Sequence, residues 1–447
     1  MKNYNIVVVG GGPAGVVTAV TARKIYSDKK IVLIRNVEKP LIPCGIPYIY
    51  GTLGDIKKNI MADTPLNNSN VDIILGEVKE IDRANKTVLL DNNEVIKYEK
   101  LVLATGSIPF QLNIKGENLK GVYYIKKSFN HLANLKDEIE KAKNIVIIGG
   151  GFIGVEFADE IAKLENKNVT LIEMMDKILL AAFDKEFCEI GEEKLKSSGV
   201  KILTKNKVVE ILGDSKVKKI KLASGEEIDA DVVIIAIGGK ANSKLAKDAD
   251  LLIGKFGAIW TDEYMRTTDE NIFAVGDCAE KKDFFTRKPS NAMLASIATA
   301  EARIAGMNLY KLKVLRLNYG TISIFSTAIN DYAFGAAGMT ESNALKEGFE
   351  IVTGNFETVD KHPGSMPESR KLKVKLVFSK DSGILLGGQV SGGITVGEMI
   401  NLIGLAIQSK MSATEIITFQ IGTHPRLTSA PTVYPIIKAA ENALMLL

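Results

Sequence analysis

Ile6-Val7-Val8-Val9-Gly10-Gly11-Gly12-Pro13-Ala14-Gly15 decides the fold. Four β-branched residues suit a central parallel strand buried on both faces. The glycines behind them fit G-x-G-x-x-G, and a helical stretch from Pro13 to about Ile25 follows. Each glycine has a physical task. Gly10 makes the tight turn, Gly12 lets a pyrophosphate approach the backbone, and Gly15 lets helix and strand pack closely. The phosphates would rest on the free N–H groups of the helix start, which Pro13 and Ala14 open. Placed between strand and helix, the motif is far more specific than glycines alone.

The pattern recurs. Ile145 to Ile148 runs into Gly149-Gly150-Gly151-Phe152-Ile153-Gly154, with a helix expected to about Leu164. Each copy also has a later buried strand ending in small residues. Leu101 to Leu103 leads to Ala104-Thr105-Gly106, 96 residues after Gly10, and Val232 to Ile237 leads to Gly238-Gly239, 89 residues after Gly149. Two such units imply two bound dinucleotides. The copies differ at the strand end where an acid binds the adenosine ribose. The second copy has Glu173, 22 residues past Gly151, which favours NADH over NADPH, with Lys177 nearby as a counterweight. The first has Arg35 there, followed by Asn36 and Glu38. Arg23 and Lys24 read first as cations favoured at a helix C-terminus. A second reading makes them contacts for an anionic substrate tail.

Length and composition bound the rest. The 447 residues suffice for about three domains, and 46% hydrophobic with 25% charged is ordinary for a globular protein. A net charge of +4 argues for neither nucleic acid nor a membrane surface. No apolar run reaches the ~18 residues of a spanning helix. The start enters a strand directly without a signal-peptide layout. Three scattered cysteines fit neither a disulfide framework nor a zinc site, so a cytoplasmic protein without bound metal is expected.

One cysteine lies in Pro43-Cys44-Gly45-Ile46-Pro47-Tyr48, about thirty residues past the first turn. Pro43 fixes the entering backbone and Gly45 removes bulk beside the sulfur. A helix starting here would lower the thiol pKa. The plainer alternative is an ordinary small apolar residue.

Together with Thr267-Thr268-Asp269-Glu270-Asn271-Ile272-Phe273-Ala274-Val275-Gly276-Asp277, these motifs resemble the FAD-dependent pyridine nucleotide-disulfide oxidoreductases along essentially the whole chain. The resemblance implies an α/β fold of two Rossmann-like dinucleotide-binding domains and a C-terminal α+β dimerisation domain. FAD would take residues 1–110 and 245–317, NAD(P)H 111–244, and dimerisation 318–447. Asp277 would hold the ribityl chain, and a helix starting near Leu294-Ala295 would point at the flavin ring. By the same resemblance Pro43, Val78 and the Arg35 strand end join the flavin site.

Cys44 selects the branch. Two-cysteine reductases carry C-x-x-x-x-C, but here Ile49 stands five positions beyond Cys44. The stretch resembles the single-cysteine branch of coenzyme A-disulfide, persulfide and polysulfide reductases, NADH oxidases and NADH peroxidase. The resemblance then implies that hydride passes from NADH to flavin, which reduces an oxidised Cys44, a mixed disulfide with coenzyme A or a persulfide. Arg23 and Lys24 could hold coenzyme A phosphates. Cys188 and Cys278 are expected to be structural.

From about Gly320 the chain turns to Gly-rich strands and an amphipathic helix from Val396 to Ile407, similar to the family's dimerisation domain, so a homodimer is expected. Thr423-His424-Pro425-Arg426-Leu427-Thr428-Ser429 partly matches the H-P-T-x-x-E segment whose histidine serves the partner subunit. Arg426 and Ser429 replace the threonine and the orienting glutamate. His424 and Tyr434 are the candidate proton donors, whereas His131 and His362 carry no motif. No sulfurtransferase domain is expected after the third domain. The main reading is thus an NADH-dependent flavoenzyme for a small thiol-derived substrate, coenzyme A disulfide first. Its rival is an NADH oxidase or peroxidase cycling Cys44 through sulfenic acid. An electron-transfer protein and a redox-sensing binder are further alternatives.

Overall fold

Ile/Val runs placed as central strands must be covered on both faces, and the chain does this twice. The computed structural model describes residues 1–315 and 320–447. In it Ile6–Val9 is a fully buried strand, paired in parallel with Ile31–Arg35 on one side and Lys100–Leu103 on the other. The sheet runs Ile272–Ala274, Lys100–Leu103, Ile6–Val9, Ile31–Arg35, Asp72–Leu75. The strand Ile272–Ala274 returns from far along the chain to pair with Lys100–Leu103. The second sheet repeats the plan as Val122–Tyr124, Val232–Ile235, Asn144–Ile148, Asn168–Ile172, Lys201–Leu203.

The first nucleotide helix is Pro13–Ile25, the span expected after the glycine turn, and the second is Phe152–Ala162. Pro13–Ile25 packs against Ala295–Asn308 through small residues. Ala14, Ala19 and Ala22 on one helix and Ala298, Ala302 and Ala305 on the other are all buried. Small side chains let the two backbones approach, so that dispersion contacts accumulate over the whole length. A Cβ on Gly306 would press against Thr18 O and Thr21.

The C-terminal sheet is antiparallel: Ile324–Ile329, Tyr332–Gly338, Leu385–Gly392, Lys371–Ser379, Ile351–Val359. The helices Val396–Gln408 and Pro435–Leu444 share its core. Ala439, Ala440 and Ala443 let the last helix sit tightly on the sheet, where a Cβ on Gly354 would meet Ala439 O. The expected boundary at 317/318 lies outside the described residues.

Aromatic and ionic contacts join the units. Phe152 stacks on Phe325 with ring centroids 5.0 Å apart, and Tyr50 meets Phe157 at 5.1 Å. Asp184, just before the helix Lys185–Ser197, does not cap that helix with its side chain. Its carboxylate instead accepts from Gln389 Nε2 (2.6 Å) and Ser342 Oγ (2.8 Å) and pairs with Lys375 (3.1 Å) of the C-terminal sheet region. No helix among the described residues is long and apolar enough to cross a membrane.

Candidate active site

The two glycine turns divide their labour identically. Gly10 and Gly149 have φ of +123° and +109°, which side chains rarely adopt. A Cβ on Gly15 would run into Gly10 O, and one on Gly154 into Gly149 O. Gly12 and Gly151 are different: a Cβ there would meet nothing within 4 Å. The space over them is open, and both are helix N-caps without a side-chain cap, as is Leu294 before Ala295–Asn308. Three helix starts therefore present unsatisfied N–H groups and positive dipole ends. That suits two pyrophosphates and an electron-rich ring, so the residues fit both a flavin dinucleotide and a nicotinamide dinucleotide.

Neighbouring groups agree with this fit. Glu173 follows its strand, and its carboxylate accepts from Gly150 N (2.6 Å) and Met175 N (2.7 Å). Lys177 pairs with Glu189 and Glu192, so its charge is compensated within the fold. Thr105 Oγ1 donates to Asn242 O (2.6 Å), and the short strand Gly239–Ala241 pairs with Ser107–Pro109. The turns after Ala104 and after Gly238 thus meet. Asp277 accepts from Ser107 Oγ (2.8 Å) and lies 3.3 Å from Lys127. Val78 starts the strand Val78–Asp82 of a neighbouring four-stranded sheet and packs against the core cluster that includes Val9 and Ile34.

Arg35 ends its strand buried, with its stem over Gly11 and its guanidinium held by Asp63 through bonds of 2.5 and 2.7 Å. That pairing holds the Asp63 carboxyl below its ordinary range. Arg23 corrects the anionic-tail reading. Its guanidinium donates to the carbonyls of Ser69, Asn70, Ser27 and Lys29, so it ties the helix end to two loops.

Cys44 is solvent-accessible, whereas Cys188 and Cys278 are buried. Pro43–Gly45 and Pro47–Ile49 form single 3-10 turns rather than an α-helix, so the dipole expected to lower the thiol pKa is not built. The turn is held by Asn59, which donates to Ile42 O (3.0 Å) and occupies the space a Cβ on Gly45 would need. Although the residue is accessible, the walls around the sulfur desolvate it and push the thiol up, Glu156 adds to the rise, and Lys127 opposes it.

Glu156 was not legible as a functional group in the sequence. It lies on Phe152–Ala162, the helix whose Glu160 meets the segment after Cys44. Glu160 accepts from Thr52 N (2.6 Å) and Thr52 Oγ1 (2.9 Å) and pairs with Lys163. Asp159 accepts from Asn330 N (3.0 Å) and also pairs with Lys163 (3.2 Å). Glu156 accepts from Thr327 Oγ1 (2.8 Å) and has no ion-pair partner among the described residues. Burial outweighs that hydrogen bond and pushes its carboxyl up to about 7.

His424 is exposed, its Nδ1 accepting from Arg426 N (3.3 Å). Tyr434 is a buried core residue preceding the last helix, with Phe419 against its ring, and burial raises its hydroxyl. Ser429, standing where an orienting acid was sought, donates to Val359 O (2.6 Å). His362 Nδ1 lies 2.8 Å from Thr428 O and His131 Nε2 2.7 Å from Tyr124 O, both held by backbone. Among the described residues no group of three or more His, Cys, Asp or Glu could hold a metal ion.

The family model described as "Pyridine nucleotide-disulphide oxidoreductase" matches residues 4–302, and its dimerisation-domain model matches 324–433. The chain belongs to this family. Membership makes it an NAD(P)H-dependent oxidoreductase, with a flavin and a dimerisation domain. An NADH oxidase of Methanocaldococcus jannaschii is 33% identical, with 98% of each chain covered. An NAD(P)H coenzyme A polysulfide/persulfide reductase of Pyrococcus horikoshii is 35% identical over 87% of each chain. The solved NAD-dependent persulfide reductase of A. fulgidus superimposes with a TM-score of 0.91 at 31% identity, covering 98% of this chain and 83% of that one. Within the family, the chain thus has similar relatives on both sides of the reductase and oxidase division.

Proposed function

We propose that this oxidoreductase uses FAD and NADH to reduce a small disulfide, persulfide or polysulfide through Cys44, with coenzyme A disulfide first among substrates. The observation that carries the reading is the isolation of one accessible thiol: Cys44 is open, and the other two cysteines are buried. FAD would rest on Gly10, Gly12 and Gly15 and on the turn at Asp277, and NADH on Gly149, Gly151 and Glu173. A bound flavin supplies two-electron transfer between reduced nicotinamide and sulfur.

The chain's own part is sulfur chemistry. Cys44 thiolate attacks one sulfur of the substrate disulfide, forming a mixed disulfide and expelling the other half as a thiolate that takes a proton. Two electrons and one proton then cleave the mixed disulfide, releasing the second thiol and restoring the Cys44 thiolate. Lys127 favours the thiolate, and the open face of the Pro43–Gly45 turn admits the substrate. Arg23 is committed to loop carbonyls, so any coenzyme A contact in this region falls to the exposed Lys24. His424 is proposed to serve a partner subunit as acid and base, with Tyr434 as the rival proton donor. We assign 1–110 with 245–317, 111–244 and 318–447 as the three domains.

The deciding experiment follows NADH consumption without oxygen, with coenzyme A disulfide as acceptor, for wild type and Cys44→Ser. Rapid oxidation lost in the variant supports the reading. A flavin-loaded wild type that consumes no NADH sinks it. The similarity to the M. jannaschii NADH oxidase favours a second reading, reduction of oxygen or peroxide through a Cys44 sulfenic acid. Consumption with oxygen alone would select it.

A further inference from the structure

The two glycine turns match contact for contact, and they differ in what stands at the strand end. In the second copy Gly149 N donates to Ile172 O (2.8 Å), and a Cβ on Gly150 would meet Glu173 Cβ and Oε2 at 3.0 Å. In the first copy Gly10 N donates to Ile34 O (2.8 Å), and a Cβ on Gly11 would meet Arg35 Cδ at 2.7 Å and Cβ at 2.9 Å. Arg35 therefore takes the place of the strand-end acid in space as well as in sequence. Its guanidinium reaches on to Asp63, Nη1 donating to Oδ1 (2.5 Å) and Nη2 to Oδ2 (2.7 Å). A carboxylate thus stands at the end of this strand too, one side chain further out and supplied from 28 positions away. The backbone puts it there. Ile42 N donates to Asn59 O (3.0 Å) and Met61 N to Pro40 O (2.8 Å), so 59–61 runs antiparallel beside 40–42 and brings Asp63 back to the strand end.

Two features exceed what a structural tie requires. A carboxylate can accept about four hydrogen bonds. Arg35 takes two of these at Asp63, whose side chain is 34% exposed and open to another donor. Arg35 Nε, in a side chain only 6% exposed, has no hydrogen-bond partner among the described residues. A buried N–H without an acceptor is costly and rare, so a bound molecule is expected to supply one. Nε is bonded to Cδ, the atom that lies over Gly11 in the glycine turn.

We propose that Arg35 and Asp63 together form the adenosine-ribose clamp of the first dinucleotide site, Arg35 Nε donating to a ribose hydroxyl oxygen and the Asp63 carboxylate accepting that hydroxyl's hydrogen. This rests on the assignment of FAD to the first site. One hydroxyl can donate and accept at once, so it answers both partners. The clamp carries no net charge, whereas Glu173 offers the second site a full negative one. Arg35 is not a receptor for a ribose phosphate, because Asp63 holds both of its terminal nitrogens and would repel a second anion. A ribose without hydroxyls would leave the buried Nε unanswered, so the clamp selects a dinucleotide whose ribose hydroxyls are free.

The test loads the whole enzyme with FAD, or with a FAD analogue lacking both hydroxyls of the adenosine ribose, and follows flavin release by the rise in flavin fluorescence. Wild type is expected to release the analogue about tenfold faster than FAD. Asp63→Ala should release FAD about tenfold faster than wild type does, and the two flavins at nearly the same rate. That variant strands a buried guanidinium and can fail to fold. Arg35→Met combined with Asp63→Ala removes both charges, leaves no unpaired ion, and should give the same equal rates. A pair that only braced the loop would speed the release of both flavins by one factor and keep their wild-type ratio. That result, or a wild type that does not distinguish the flavins, would overturn the proposal. A chain that takes up neither flavin would overturn the FAD assignment, and the clamp with it.

Discussion

Lys375 Nζ lies 3.1 Å from the Asp184 carboxylate, and each side chain is only 4% exposed. The contact joins the second nucleotide unit to the C-terminal sheet. Glu186 at 2.6 Å and Glu341 at 2.5 Å complete the ring of anions around the ammonium. Lys375→Met leaves Asp184 buried without its cation. We expect a loss of about 3–5 kcal/mol in chemical denaturation, because removing one partner strands the other. A loss under 1 kcal/mol would mean that water reaches the cluster freely.

The same carboxylate predicts an acid limb. Burial by itself would raise Asp184, but the Gln389 hydrogen bond, the Lys375 charge and Ser342 together hold it below its ordinary value. A depressed folded pKa contributes stability that is present above the unfolded value near 3.9 and is lost as pH falls through the folded value. Asp184→Asn should therefore flatten the stability profile below about pH 4. Thermal midpoints of both proteins across pH 2–6 check this, and parallel curves would refute it.

Glu156 has the opposite sign. Its folded pKa of about 7 exceeds the unfolded value, so its contribution falls as pH rises from about 4.3 through 7. Glu156→Gln should be stabilised relative to wild type at pH 8, with the gain shrinking towards pH 5. A gain independent of pH would point to packing instead.

The glycine turns predict a contrast between neighbours. Gly12→Ala adds a methyl group into open space at an ordinary φ of −81°, so the flavin-free fold should keep its stability to within about 0.5 kcal/mol. Flavin retention, read from the visible spectrum after gel filtration, should fall. Gly15→Ala forces a methyl group into Gly10 O and should lose both.

Glu173→Ala removes the carboxylate that accepts from Gly150 N and Met175 N. The NADH KM should rise about tenfold, roughly 1.4 kcal/mol, and the preference over NADPH should narrow. An unchanged NADPH to NADH ratio would separate Glu173 from the ribose.

What the sequence made legible was local. The Ile6–Val9 and Asn144–Ile148 strands, both glycine turns and the helix Pro13–Ile25 follow from periodicity and backbone freedom within about twenty residues. The surroundings of single charges were not local. Arg35 stands alone in the sequence, yet Asp63 binds it from 28 positions away. Arg23 looks free at a helix end, yet the carbonyls of Ser69 and Asn70 accept from it across 46 and 47 positions. Glu156 is unremarked beside Gly154, because what sets it apart is its contact with Thr327, 171 positions later. A helix starting at Cys44 would lower its thiol, but short 3-10 turns stand there, and desolvation together with Glu156 raises it.

The returning strand Ile272–Ala274 has a consequence for biosynthesis. Lys100–Leu103 must wait for its parallel neighbour until about 170 further residues have been made. At ~5–20 residues per second, that edge stays open on the nascent chain for roughly 10–30 s. The second sheet, whose five strands all lie between Val122 and Ile235, is made within that interval. The unit translated second therefore closes before the one begun at the N-terminus.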